Sequence, residues 1–283
     1  MPNTAKDVSG IIRKVSVDTH IREMASAPAT RSAPNIAARA NHHSPARRWG
    51  KAGYAALFIV LALIAAQTAR LGVAGFLVQT AQNEVDQWKP GSRASGAEAD
   101  RVAKYFADSL GYVSDNPWAL EGAGAMGLAK MRASRIPREA LAATRDAGIR
   151  FRQALRQRPT SPFLWANLAL TKLYLNEIDG ELLAALRHAD ELGPWEPTVQ
   201  QIILFVGLAV WPDLDPGLRQ ALTRTIQRGA SRDPRKMFEI VQSYTRFDLV
   251  CAIEQYRVIA GPDCRKAAES ASPGEPMNKG TRR

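Results

Sequence analysis

The sequence predicts an all-α protein in which one N-terminal transmembrane helix precedes a domain of stacked helices. Three observations predict it. Residues 52–69 (AGYAALFIVLALIAAQTA) form an apolar run with no charged side chain. Beyond it, apolar residues recur at spacings of three and four, the helical period. No segment sustains the alternation of a half-buried strand.

The apolar run comes first because it fixes the compartment. A bilayer core about 30 Å thick needs roughly 17–25 mostly apolar residues in a helix, so the span is placed at 51–70. Basic residues before it (Lys6, Arg13, Lys14, Arg22, Arg31, Arg39, Arg47, Arg48 and Lys51) outnumber Asp7, Asp18 and Glu23. After it, Arg70 is followed by Glu84 and Asp86 before Lys89. Flanking positive charge marks the cytoplasmic side, so residues 1–50 are expected in the cytoplasm and the C-terminal part beyond the membrane. Those fifty residues are rich in Ala, Ser, Pro and Arg without apolar periodicity, and are expected to be a disordered basic tail drawn to anionic lipid. Two other readings of the run are a buried soluble helix, which would be unusually apolar all round, and a cleaved signal peptide, whose leader would be far too long. Met24 is an alternative start that would shorten the tail and leave the topology unchanged.

Arg70 closes the run and is expected to snorkel to the interface, letting Leu71, Val73, Phe76 and Leu77 extend the helix along the membrane surface. Residues 71–97 are therefore expected to be a juxtamembrane segment and linker, ending in KPGSRASGA. The soluble domain is expected over 98–264. Its helices are predicted at 98–111, 117–131, 138–157, 161–176, 179–192, 197–210, 215–230, 234–245 and 247–258. Asn116-Pro117 and Asp215-Pro216 are start signals, with a capping side chain and proline in the first turn. The run at 197–210 is nearly all apolar, so that helix is expected at the centre. Residues 265–283 are expected to be a second disordered tail.

Pro159, Pro194 and Pro234 recur at intervals close to the length of a tetratricopeptide unit. Ala154 and Phe151 precede Pro159, and Trp165, Leu168 and Ala169 follow it, at the separations that pattern wants. One unit is well formed and its neighbours are degenerate; a non-repeating helical bundle is the other arrangement. Stacked helix pairs bury a continuous core and leave a groove suited to a peptide or partner protein. Phe163, Ala166, Asn167, Leu170 and Leu173 are the residues expected to line it. Cys251 and Cys264 are the two cysteines. Outside the cytoplasm they are expected to pair and to close a short loop through Gly261-Pro262; two separate buried thiols are the alternative.

The motifs that resemble chemistry have plainer explanations. Gly122-Ala-Gly-Ala-Met-Gly127 matches a dinucleotide fingerprint, but no strand precedes it, so a small-residue face for close helix packing is expected. Asp213-Leu-Asp215 resembles the metal-binding pair of glycosyltransferases, yet Pro216 follows at once and Asp215 reads as a cap. His20, His42 and His43 lie in the tail, and His188 stands alone on an amphipathic helix. Asp190 and Glu191 are neighbours on a helix and read as a solvated face. The net charge of +11 comes without a nucleic-acid-binding motif. No catalytic residue, cofactor, metal or nucleic-acid partner is expected, and the chain is read as a non-enzyme.

PTSPFLWANLALTKLYL (159–175), ALRHADELGPWEPTVQ (185–200) and the region from LAVWPDL (208–214) to FDLVCAI (247–253) together resemble the VpsP-type accessory proteins of bacterial exopolysaccharide clusters. Trp165-Ala-Asn-Leu168 and Gly193-Pro-Trp-Glu-Pro197 are the most specific pieces. The resemblance implies a membrane-anchored, tetratricopeptide-like factor of the bacterial inner membrane, with its domain in the periplasm. Such a factor acts by contacts with proteins of a polysaccharide synthesis and export complex and with membrane lipid. The alternatives are a glycan-modifying or glycosyl-transferring enzyme using Asp213 and Asp215, and a general assembly factor for envelope complexes.

Overall fold

The computed structural model describes residues 51–88, 96–251 and 253–271. The tail 1–50, its histidines, part of the expected linker and residues 272–283 lie outside the described residues. Among the described residues there are ten α-helices: α1 (Lys51–Asp86), α2 (Gly96–Tyr112), α3 (Pro117–Ala133), α4 (Pro137–Gln157), α5 (Pro162–Tyr174), α6 (Gly180–Leu192), α7 (Pro197–Ala209), α8 (Pro216–Ala230), α9 (Pro234–Ser243) and α10 (Arg257–Ala271). Short 3₁₀ turns occupy Trp211–Asp213, Phe247–Leu249 and Glu254–Tyr256, and no strand occurs among the described residues. The chain divides into two compact units at Gly72 and Val73.

In the first unit, Tyr54 to Gly72 are exposed without interruption. A helix exposed and apolar on all faces is suited to lipid. Gly53–Asp86 is the one helix among the described residues long and apolar enough to cross a membrane, as a single-pass protein requires.

In the second unit, α1 continues where a juxtamembrane segment and linker were expected over 71–97. Its last turns pack: Ala74, Val78 and Ala81 are buried, and Val78 and Ala81 share a cluster with Val102, Phe106, Ala119, Ala125 and Met126. Their spacing of four and three puts all three on one helix face. Ser109 Oγ donates to the Ala74 carbonyl at 2.9 Å, tying the end of α2 to this segment.

Proline at the first turn sets where the following helices begin. Asn116 accepts from the amides of Trp118 and Ala119, Ser161 from Leu164, Asp215 from Leu218 and Asp233 from Lys236, each with proline next in sequence. These caps satisfy amides with no partner inside the helix, and proline there gives up no hydrogen bond. Asp179 caps α6 in the same way, ahead of Gly180.

One large core runs from Leu120 to Ala260 and takes residues from α3 to α10. Successive helices pack on one another, and α3 touches α5, α5 touches α7, and α7 touches α9. The glycines of 122–127 provide the close packing expected of them. A methyl on Gly122 would meet the Phe106 ring at 2.2 Å, and one on Gly124 the Phe151 ring at 2.7 Å. The expected last helix is displaced. Within that range Phe247–Leu249 and Glu254–Tyr256 form 3₁₀ turns after Thr245, whose φ is 54°, and helix resumes at Arg257. That helix runs to Ala271, so the start of the expected tail at 265–283 is helical.

Candidate interaction edge

The five residues expected to line a groove do not share an open surface. Ala166, Asn167 and Leu170 are buried, and Phe163 and Leu173 pack half-buried against the core. The cause is the position of α5, which has α4, α6 and α7 against it. Asn167 therefore has little surface to offer a partner.

A different surface emerges where the connectors before α3, α5, α7 and α9 (113–116, 158–161, 193–196 and 231–233) come together. Each connector, or the first turn of the helix it opens, touches the next. Arg158 lies over the Trp118 ring, 3.5 Å from its centroid. Gly193 sits against Pro162 so closely that an added Cβ would fall 2.6 Å from the proline Cβ. Arg232 Nη1 donates to the Trp195 carbonyl at 2.8 Å. Between these, Trp165 Nε1 donates to the Pro159 carbonyl at 2.7 Å and its ring centroid lies 4.7 Å from that of His188. The result is an edge carrying Trp118, Trp165 and Trp195 among Arg158, His188, Arg228 and Arg232. Trp195 is 61% exposed. Tryptophan and arginine are the residues most enriched among energetic anchors of protein interfaces.

Buried ion pairs brace this edge from below. Glu121 is 2% exposed and receives a hydrogen bond from Arg158, the residue stacked on Trp118. Burial pushes the Glu121 carboxyl up, against the pull of Arg158. Asp190 repeats the arrangement: it accepts from Thr225 Oγ1 at 3.0 Å and from Arg228, which approaches the Trp195 ring at 6.0 Å. The solvated face expected for Asp190 and Glu191 is thus half right. Glu191 has a side chain 58% exposed, whereas Asp190 is buried because α8 delivers a cation to it. The partners lie 37 and 38 residues away in sequence, too far for a local pattern to reveal.

At the α5–α6 turn, Lys172 has a side chain 3% exposed and faces Glu177, Asp179 and Glu181 at 2.8–3.1 Å. Arg152 grips Glu181 with two hydrogen bonds of 2.7 Å. This network closes the α5–α6 hairpin and was not foreseen, since Lys172 sits in a run that reads as core. Asp215 is the cap of α8 and pairs with Arg187 at 2.9 Å; Asp213 lies in the 3₁₀ turn before it. No group of three potential metal ligands occurs among the described residues. Cys251 and Cys264 are joined by a disulfide across the turn that leads into α10.

No protein-family model matches this chain, and no curated protein or solved structure matches it either.

Proposed function

We propose that this protein is a single-pass scaffold or regulator of the bacterial inner membrane. Its N-terminus is cytoplasmic, its helical domain is periplasmic, and it serves exopolysaccharide synthesis and export through protein contacts. The apolar helix and the basic excess before it support the topology. The stacked helices, the touching alternate helices and the bridged connectors support a tetratricopeptide-like organisation. The sequence resemblance supplies the pathway. The observation that carries contact rather than catalysis is the connector edge, where exposed Trp195 has Arg228 near its ring and Arg232 on its carbonyl. The enzyme reading finds no comparable support, because Asp215 is engaged as a cap and by Arg187.

The test is in-cell photocross-linking from position 195 of the full-length chain, combined with deletion of the protein. The proposal expects adducts with components of the polymer machinery and loss of secreted polymer on deletion. Wild-type polymer output from the deletion strain would overturn the pathway, and adducts with unrelated envelope complexes would point to a general assembly factor.

A further inference from the structure

Helix α4 spends one face on the core and leaves the other uncovered. Thr144, Ala147, Gly148 and Phe151 are buried, and the helix packs on α3 and α5. On the opposite side Arg138, Leu141, Arg145 and Ile149 are all exposed, Leu141 by 39% and Ile149 by 53%. Their spacings of three and four set them in one stripe along three turns, about 17 Å of helix. Ile136, also exposed, extends the stripe into the turn between α3 and α4.

The charge of the stripe is uncompensated. From Lys130 to Arg145 the sequence holds five cations and one acid, Glu139, and Glu139 accepts a hydrogen bond from Ser134 Oγ. Among the described residues, Arg135, Arg138 and Arg145 are exposed and pair with no acid. Exposed cations nearby are answered from within the chain. Lys104 meets Asp108 on α2, and Arg187 of α6 meets Asp215 at the start of α8. On α4 itself Arg150 has Asp146 and Arg152 has Glu181.

We propose that this stripe docks an acidic amphipathic helix of a partner protein. Cations and aliphatic side chains interleaved at three and four match a second helix that carries carboxylates and aliphatic groups at the same spacings. Each guanidinium presents a fork suited to a carboxylate, and Ile136, Leu141 and Ile149 supply the dry contact between the ion pairs. A lipid surface fits less well. A helix lying in a membrane interface segregates its apolar and charged faces, whereas here both share one face and the other is buried in the core. A polysaccharide also fits less well, because the stripe offers no aromatic ring for a sugar to stack on. This surface is separate from the connector edge, and the proposal stands whatever pathway the partner serves.

The test is photocross-linking in native cells from position 149 of the full-length chain, with mass spectrometry of the adduct. The expected adduct is a protein segment in which Asp or Glu recurs at spacings of three and four. Arg138→Glu combined with Arg145→Glu is expected to cut its yield roughly tenfold or more. The melting temperature of that variant should stay within about 2 °C of wild type, since both side chains are exposed. Exchanging the mapped acids of the partner for lysine is expected to restore the adduct with the doubly reversed chain, which separates lost charge from lost fold. No adduct, or an adduct with glycan, lipid or a second copy of this chain, would overturn the proposal. So would a segment lacking those acids, a yield unmoved by charge reversal, or a charge exchange that restores nothing.

Discussion

The ammonium group of Lys172 lies 2.8 Å from Glu181 Oε2, while Arg152 holds both oxygens of the same carboxylate. Lys172 leaves α5 and Glu181 enters α6, so the pair fastens one helix of a hairpin to the next. Arg152 first, then Lys172, holds the Glu181 carboxyl down to about 2. A carboxyl depressed on folding stabilises the fold above its unfolded pKa, and that stabilisation is lost as pH falls toward the folded value. The domain is therefore expected to lose stability between about pH 4.5 and pH 2. Glu181→Gln should flatten the profile across that window, as read from urea unfolding at several pH values; a slope equal to wild type would dissociate the network from acid stability.

Removing a cation has different consequences at the two ionic sites. Arg158→Met strands Glu121, which is 2% exposed, and is expected to cost about 3–5 kcal/mol. Lys172→Met leaves behind three carboxylates with side chains 39–52% exposed. Water can solvate them, so its cost is expected near 1 kcal/mol. Adding Glu121→Met to Arg158→Met should recover most of the loss, which denaturant midpoints would show.

How much of this was legible in the sequence depended on range. Helix starts at Pro117, Pro162, Pro216 and Pro234 were readable because cap and proline act within four residues. The packing role of Gly122, Gly124 and Gly127 was readable because no strand preceded them. The extension of the helix past Arg70 was readable, but its packing through Ala74, Val78 and Ala81 was hidden by the smallness of those side chains. Asp190 was misread because its partner, Arg228, is 38 residues on. The Trp118, Trp165 and Trp195 edge escaped for the same reason: the three rings are far apart in sequence, and only stacking of the helices brings them to one edge.

Two glycine substitutions separate packing from propensity. Gly124→Ala drives a methyl to 2.7 Å from the fully buried Phe151 ring, and is expected to cost about 1–3 kcal/mol. Gly111 in α2 has nothing within 4 Å of an added Cβ. Gly111→Ala should therefore stabilise by about 0.5–1 kcal/mol through helix propensity. Thermal unfolding of both variants checks the opposite signs.

Trp195→Ala distinguishes an interface anchor from a core residue. The ring is 61% exposed, so its loss should change unfolding free energy by less than about 1 kcal/mol. A central anchor is worth about 2 kcal/mol or more to binding, a weakening of roughly thirtyfold. The expected outcome is a folded protein with reduced cross-linking to its partner. A large drop in melting temperature would instead make Trp195 structural.

The disulfide links topology to stability. Cys251 and Cys264 are 13 residues apart, and closing a loop of that size stabilises by about 3 kcal/mol in the chain-entropy account. The bond fastens the 3₁₀ turns to α10, so reduction should loosen this end before the α3–α9 core. Hydrogen exchange with and without reductant is expected to show new opening confined to residues after Thr245. Bonds of this kind persist outside the cytoplasm, so protein taken from cells under thiol-blocking conditions should carry the cystine when the N-terminal helix is intact. A cytoplasmic version lacking residues 1–72 should carry two free thiols. Free thiols in the membrane-inserted protein would reverse the proposed orientation, whatever the stability measurements show.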